Sequence, residues 1–187
     1  MKIVICGPPH SGKSVFREGI KQGVRQIPDA PYPYVITACP DGEGSWFQET
    51  VEHDAELARK CKDSYKSQFT PEFVRRISDS VKNCELPLTF IDVGGRTSNE
   101  NREICKNATH AIILYGDSEK FPEWQEFCKE LGLEIIAEIF SDYHGDKDTI
   151  QKESSDGVFR GSIHYLERGE DVSERECLQA LAERLCA

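Results

Sequence analysis

The sequence predicts an α/β fold, a mainly parallel sheet flanked by helices, and three observations carry that prediction. Five short, nearly continuous apolar runs rich in Ile and Val recur along the chain. Longer amphipathic segments lie between them, and strands alternating with helices call for a parallel sheet in three layers. The length, 187 residues, suits a single domain, 1–187, with a full-sized core and excludes two large ones.

The strands are expected at Lys2–Cys6, Tyr34–Cys39, Leu86–Val93, Ala108–Tyr115 and Glu134–Phe140. Each is apolar at consecutive positions rather than at alternate ones, as in strands buried on both faces. A first helix follows from Phe16, Ile20, Val24 and Ile27 at helical spacing, and Pro28, Pro31 and Pro33 end it. Further helices are expected over Ala55–Lys62, Phe73–Val81, Trp124–Leu131 and Glu174–Leu185. Polar residues from Ser141 to Asp156 read as a loop, and a short strand is expected around Val158–Leu166.

A net charge of −10 argues against a protein that coats long duplex nucleic acid. The first forty residues run the other way, with Lys2, Lys13, Arg17, Lys21 and Arg25 against Glu18 and Asp29, so an anion is expected there. Eight cysteines are widely spread with no C-x-x-C pair, which disfavours zinc, and Cys6 and Cys39, in or beside apolar runs, read as small buried side chains in a reducing cytoplasm. No apolar run approaches a membrane span or a signal peptide, so no membrane partner is expected.

Directly after the first strand stands Gly7-Pro8-Pro9-His10-Ser11-Gly12-Lys13-Ser14, a complete G-x-x-x-x-G-K-S that runs into a helix through Val15. Strand, motif and helix together predict the P-loop NTPase fold and a nucleoside triphosphate, ATP with GTP as the alternative. Backbone N–H groups of such a loop cradle phosphates at a helix N-terminus, and Lys13 places charge on the β/γ oxygens. Gly7, Pro9, His10, Ser11, Gly12, Lys13, Ser14 and Val15 are therefore the candidate nucleotide-binding residues. Ser14 is the expected Mg²⁺ ligand. Pro8 and Pro9 lack an N–H, so the later residues must form most of the cradle.

The third run ends at Asp92, the position of an acid that holds Mg²⁺ through water beside Ser14. Val93 follows it, not Glu, which disfavours a motor-type ATPase. Asp92-Val93-Gly94-Gly95 also satisfies the D-x-x-G of GTP-dependent switches, whose glycine amide senses the γ-phosphate. Against a switch, no N-K-x-D occurs; Gly116-Asp117-Ser118-Glu119-Lys120 follows the fourth strand, and Arg96 stands where many switches carry Gln.

A kinase needs a carboxylate to take the acceptor's proton. The loop Pro40-Asp41-Gly42-Glu43-Gly44-Ser45-Trp46 supplies Asp41 as the expected catalytic base beside Lys13, Glu43 as second choice, and Trp46 as a stacking surface. The competing reading is a solvated turn. His53, His110 and His164 read as structural, whereas His10 is expected to touch ligand. Arg96, Arg102, Arg160 and Arg168 are candidates for charge stabilisation, though solvation suffices to explain each.

The blocks GPPHSGKS, TACPDGEGSW, LPLTFIDVGGRTSNENREIC and ATHAIILY, in that order, resemble the P-loop domain often labelled AAA that is found joined to a CRISPR-associated ring nuclease. The resemblance spans residues 1–166. It implies action beside a nuclease that opens cyclic oligoadenylates, with the 5′-hydroxyl of a short linear oligonucleotide as acceptor. The expected activity is thus Mg²⁺-dependent phosphoryl transfer from ATP, the alternatives being a GTPase- or ATPase-like switch and a non-catalytic nucleotide-binding partner domain.

Overall fold

A computed structural model describes residues 1–40, 69–151 and 155–187. Its elements run β1 (Lys2–Cys6), α1 (Lys13–Gln26), β2 (Pro33–Thr37), α2 (Pro71–Asn83), β3 (Leu88–Asp92), α3 (Asn99–Cys105), β4 (His110–Tyr115), α4 (Phe121–Glu130), β5 (Glu134–Asp142), β6 (Thr149–Ile150), β7 (Phe159–His164) and α5 (Glu176–Cys186). The expected helix over Ala55–Lys62 lies outside the described residues, as do Asp41, Glu43, Trp46 and His53.

The strands form one seven-stranded sheet in the order β2-β3-β1-β4-β5-β7-β6. Every pairing is parallel except that of β6 with β7. β1 lies inside the sheet, between β3 and β4, and its alternate residues face opposite layers. Ile3 and Ile5 join Phe16, Ile20 and Val24 of α1 and Leu178 and Leu181 of α5. Val4 and Cys6 join Val74 and Val81 of α2, Ile104 of α3 and Trp124 and Phe127 of α4. A strand apolar at every position is what two such cores require, and here the sequence pattern and the fold coincide.

Three features depart from the sequence reading. β5 runs two residues further, through Asp142, into the stretch read as loop, and that stretch also contributes β6. β6 is two residues long and pairs along a short edge, too brief to leave a period. The third is α3, a seven-residue helix carrying only Ile104 and Cys105 as apolar residues; it forms because the Ser98 hydroxyl accepts from Asn101 N–H at 3.3 Å. Among the described residues no helix is long and apolar enough to cross a membrane.

Candidate functional site

In a parallel sheet the strand ends that open into loops on one side gather the functional groups. Here the carboxyl ends of β1, β3, β4 and β5 bring the G-x-x-x-x-G-K-S loop against the segments after Asp92, Tyr115 and Asp142. Gly7 leaves β1 at φ 145°, and a Cβ there would lie 1.8 Å from the Leu114 carbonyl oxygen of β4. Only glycine passes between these two strands. Gly12 adopts φ 79°, where a Cβ would strike Leu166 at 2.8 Å, so its missing side chain lets Leu166 seat against the loop.

Gly12 is also the N-cap of α1, and among the described residues no side chain caps this helix and no acid occupies its first turn. The helix N-terminus thus presents backbone N–H groups and positive dipole to the loop above it, the physical requirement for holding an anion. Within the loop the Ser11 hydroxyl donates to the Pro8 carbonyl at 2.9 Å. Lys13 Nζ donates to the carbonyls of Gly7 (3.0 Å) and Pro8 (2.8 Å), folding back across the concavity of the loop. His10 is exposed at φ 63°, a left-handed conformation uncommon for a residue with a Cβ.

Asp92 pairs in register with Ile5 of the neighbouring β1, which sets its carboxylate beside the start of α1. It is almost wholly buried, and its Oδ2 accepts from Arg17 Nη1 at 3.0 Å. Sequence reasoning missed Arg17. The available signal was its spacing: three residues beyond Ser14, it falls on the helix face that carries the candidate metal ligand. Gly95 packs onto Pro9 of the phosphate loop. Asn101 secures the same segment by donating to the carbonyls of Gly94 (3.2 Å) and Arg96 (2.7 Å).

A cavity of ≈470 Å³ opens beside the loop, lined by Pro8 to Gly12, by Gly116, Asp117 and Lys120 after β4, and by Phe140, Tyr143, His144 and Leu166. The segment Gly116–Lys120, singled out for the N-K-x-D it lacks, does border this cavity. Phe140, Tyr143 and Leu166 were not anticipated as cavity residues, because their runs read as strand core and loop. Tyr143 is fixed there by donating to Glu167 and by ring contact with Tyr165 at 5.3 Å. The Glu167 carboxylate, by accepting that bond, pushes the Tyr143 hydroxyl above its ordinary range.

The remaining candidates separate. His110 is at the opposite end of β4, hydrogen-bonded to Thr109 at 2.7 Å, and His164 is held by Asp148 at 2.7 Å, so both are structural. Arg160 is clamped by Asp156 and by Glu138, and Arg102 pairs with Glu130 at 2.8 Å while lying over the Phe127 ring. Neither lines the cavity. Arg96 is exposed next to Gly95, and Arg168 is exposed beyond Leu166.

No family model matches the chain, and no curated relative does. A solved structure described as a plasmid partition protein of Borrelia burgdorferi B31, bound to AMPPNP, is similar over 98% of this chain and 95% of that one, with TM-score 0.60 and 13% identity. At that identity the likeness is one of fold, and it identifies the three-layer sheet as a P-loop NTPase fold.

Proposed function

We propose that the chain binds ATP with Mg²⁺ along Gly7–Ser14 and transfers the γ-phosphate to a hydroxyl of a nucleotide or short oligonucleotide. The observation that carries the nucleotide reading is the N-terminus of α1, which no side chain among the described residues caps, with Gly7 and Gly12 in backbone conformations that open the loop above it. That the partition protein of like fold was solved with AMPPNP adds support for an adenine nucleotide.

Ser14 and Asp92 offer a hydroxyl and a carboxylate, hard oxygen donors that suit Mg²⁺. Bound there, the ion would neutralise charge on the β- and γ-phosphate oxygens. Lys13 would exchange its two loop carbonyls for phosphate oxygens, a swap that trades neutral acceptors for charged ones. In transfer, the acceptor oxygen bonds to the γ-phosphorus, the bond to the β–γ bridging oxygen breaks, and the acceptor proton passes to a carboxylate. Asp41 is our choice for that carboxylate, on the strength of its place in the sequence Pro40-Asp41-Gly42-Glu43-Gly44. A ring nuclease as partner rests on the sequence resemblance alone.

The contact of Gly95 with Pro9 favours a second reading, a switch in which γ-phosphate orders the segment after Asp92. The deciding experiment uses γ-labelled ATP or GTP with Mg²⁺, with and without a 5′-hydroxyl oligoadenylate. Label on the oligonucleotide, lost in Lys13→Ala and Asp41→Asn, is the expected result. Label released only as free phosphate, with or without acceptor, means a switch, and no turnover with retained binding means a partner domain.

A further inference from the structure

Phosphate binding and transfer leave the cavity beside the loop without a role. Its ≈470 Å³ falls within the roughly 300–1,000 Å³ usual for small-molecule sites, and Pro8 to Gly12 form part of its wall. A group joined to phosphates in the loop therefore has this space directly beside it. Tyr143, another wall residue, is 48% exposed yet fixed by several contacts. Its hydroxyl donates to Glu167. The Tyr165 ring packs against it at 5.3 Å with the planes 37° apart, and the His144 ring meets it edge-on at 5.3 Å. The turn that supports Tyr143 also touches the phosphate loop. Leu166, between Tyr165 and Glu167, sits so close to Gly12 that a Cβ there would lie 2.8 Å from the Leu166 Cβ. Tyr165 takes φ 43°, a conformation uncommon for a residue with a Cβ, and its N–H donates to the Asp142 carbonyl at 3.1 Å. One turn thus sets the spacing between the Tyr143 ring and the loop.

We infer that Tyr143 is the stacking surface for the nucleobase of the bound triphosphate, and that the base is held by its face rather than read at its edge. The inference rests on the nucleotide reading above. Every nucleobase has a π face, so stacking on an aromatic ring tolerates a change of base. Edge readout instead needs buried polar groups that a wrong base leaves unpaired. The charged and ring-nitrogen groups of Asp117, Lys120 and His144 on the cavity are exposed, so water satisfies them whichever base is present. Asp117 already accepts from the Glu119 N–H at 3.0 Å. The half-buried Asp142 sets its Oδ2 against Gly145, where a Cβ would lie 2.7 Å from it. Tyr143 then adds affinity for any nucleoside triphosphate, and the phosphate loop alone recognises the triphosphate.

The test compares the affinities of the full chain for ATP, GTP and inorganic tripolyphosphate, each with Mg²⁺, by titration calorimetry. The wild-type chain should bind ATP and GTP within about tenfold of each other. Tyr143→Ala should weaken both nucleotides by roughly tenfold, the loss of one base stack. Tripolyphosphate has no base, so its affinity should stay within about twofold in that variant. Tyr143→Phe keeps the ring and loses only the tether to Glu167, so nucleotide affinity should fall by no more than about fivefold. Three results overturn the inference. Unchanged ATP affinity in Tyr143→Ala removes the stack. An equal loss for tripolyphosphate, or for Tyr143→Phe, makes Tyr143 a support of the loop through its hydroxyl or its packing. A preference of about a hundredfold or more between ATP and GTP means that the base edge is read. Failure of the wild-type chain to bind either nucleotide or tripolyphosphate is a different result, which overturns the nucleotide reading itself.

Discussion

Gly95 and Pro9 meet so closely that a methyl group on Gly95 would lie 2.5 Å from the Pro9 nitrogen and 2.7 Å from its Cα. Both neighbours are backbone atoms of the phosphate loop, so no rotamer change relieves the overlap. The segment after β3 is thus packed directly against the backbone of the phosphate loop. Gly94, one residue earlier, has room, since its Cβ would sit 3.4 Å from Cys39 Sγ and 3.7 Å from Asn101 Nδ2.

This contrast makes the first prediction. Gly95→Ala is expected to destabilise the fold by about 1–3 kcal/mol through overpacking. It should also weaken ATP binding by roughly tenfold, equivalent to ~1.4 kcal/mol, because the phosphate loop must shift. Gly94→Ala should change stability by no more than about 0.5 kcal/mol. Urea unfolding and ATP titration on the two variants check this; equal damage from both would remove the Gly95–Pro9 contact as the cause.

What the sequence revealed and what it hid follow from the range of the interactions. β1 was legible because Ile3, Val4, Ile5 and Cys6 are all buried, and a strand in the sheet interior writes its environment into consecutive residues. Gly7 and Gly12 were legible because their backbone geometry is local. Arg17 was not, since its partner Asp92 is 75 residues away and nothing near Arg17 announces a buried acid. Tyr143 and Leu166 were hidden for the same reason, reaching the cavity only once the sheet has closed. β6 and α3 are short, polar and held by pairing or capping rather than by period, so a hydrophobic pattern could not mark them.

A second long-range group, Asp148, carries the next prediction. Its side chain is 3% exposed, and its Oδ1 accepts from His164 N–H (3.1 Å) and His164 Nδ1 (2.7 Å). Its Oδ2 accepts from Cys177 N–H at 3.0 Å, so it caps α5 from 29 residues away and faces that helix's positive end. Arg175 completes the cluster by donating to His164 Nε2 and to the His164 carbonyl. This arrangement is satisfied by a His164 protonated on Nδ1 alone. Asp148→Asn would turn an amide N–H₂ toward an N–H donor, and the cost should be about 2–4 kcal/mol. Urea unfolding gives the magnitude. Faster hydrogen exchange at the Cys177 amide locates it, and an unaltered Cys177 exchange rate would show that the cap is not held by Asp148.

The last prediction concerns alkaline pH. Cys105 and Cys177 are free thiols, and burial, aided by the neighbouring Cys128 thiol, pushes Cys105 up to about 12. Burial, with the nearby charges of Asp148 and Glu176, pushes Cys177 up to about 12 as well. In the unfolded chain these thiols ionise near their ordinary value of ~8.5. Between those values the unfolded state therefore binds fewer protons than the native one, and stability must fall as pH rises. The contribution is fully present below about pH 8.5 and declines by ~1.4 kcal/mol per pH unit per thiol until the native thiols themselves ionise. Cys105→Ala and Cys177→Ala should each flatten the loss of stability between about pH 9 and pH 11 by that slope, although each variant costs packing energy at neutral pH. Urea unfolding across this range measures the slopes. Iodoacetamide at about pH 8 should correspondingly leave both thiols unmodified in the native chain and alkylate them once it is unfolded. Rapid alkylation of either thiol in the folded state, or variant slopes parallel to the wild type, would place the alkaline loss of stability elsewhere.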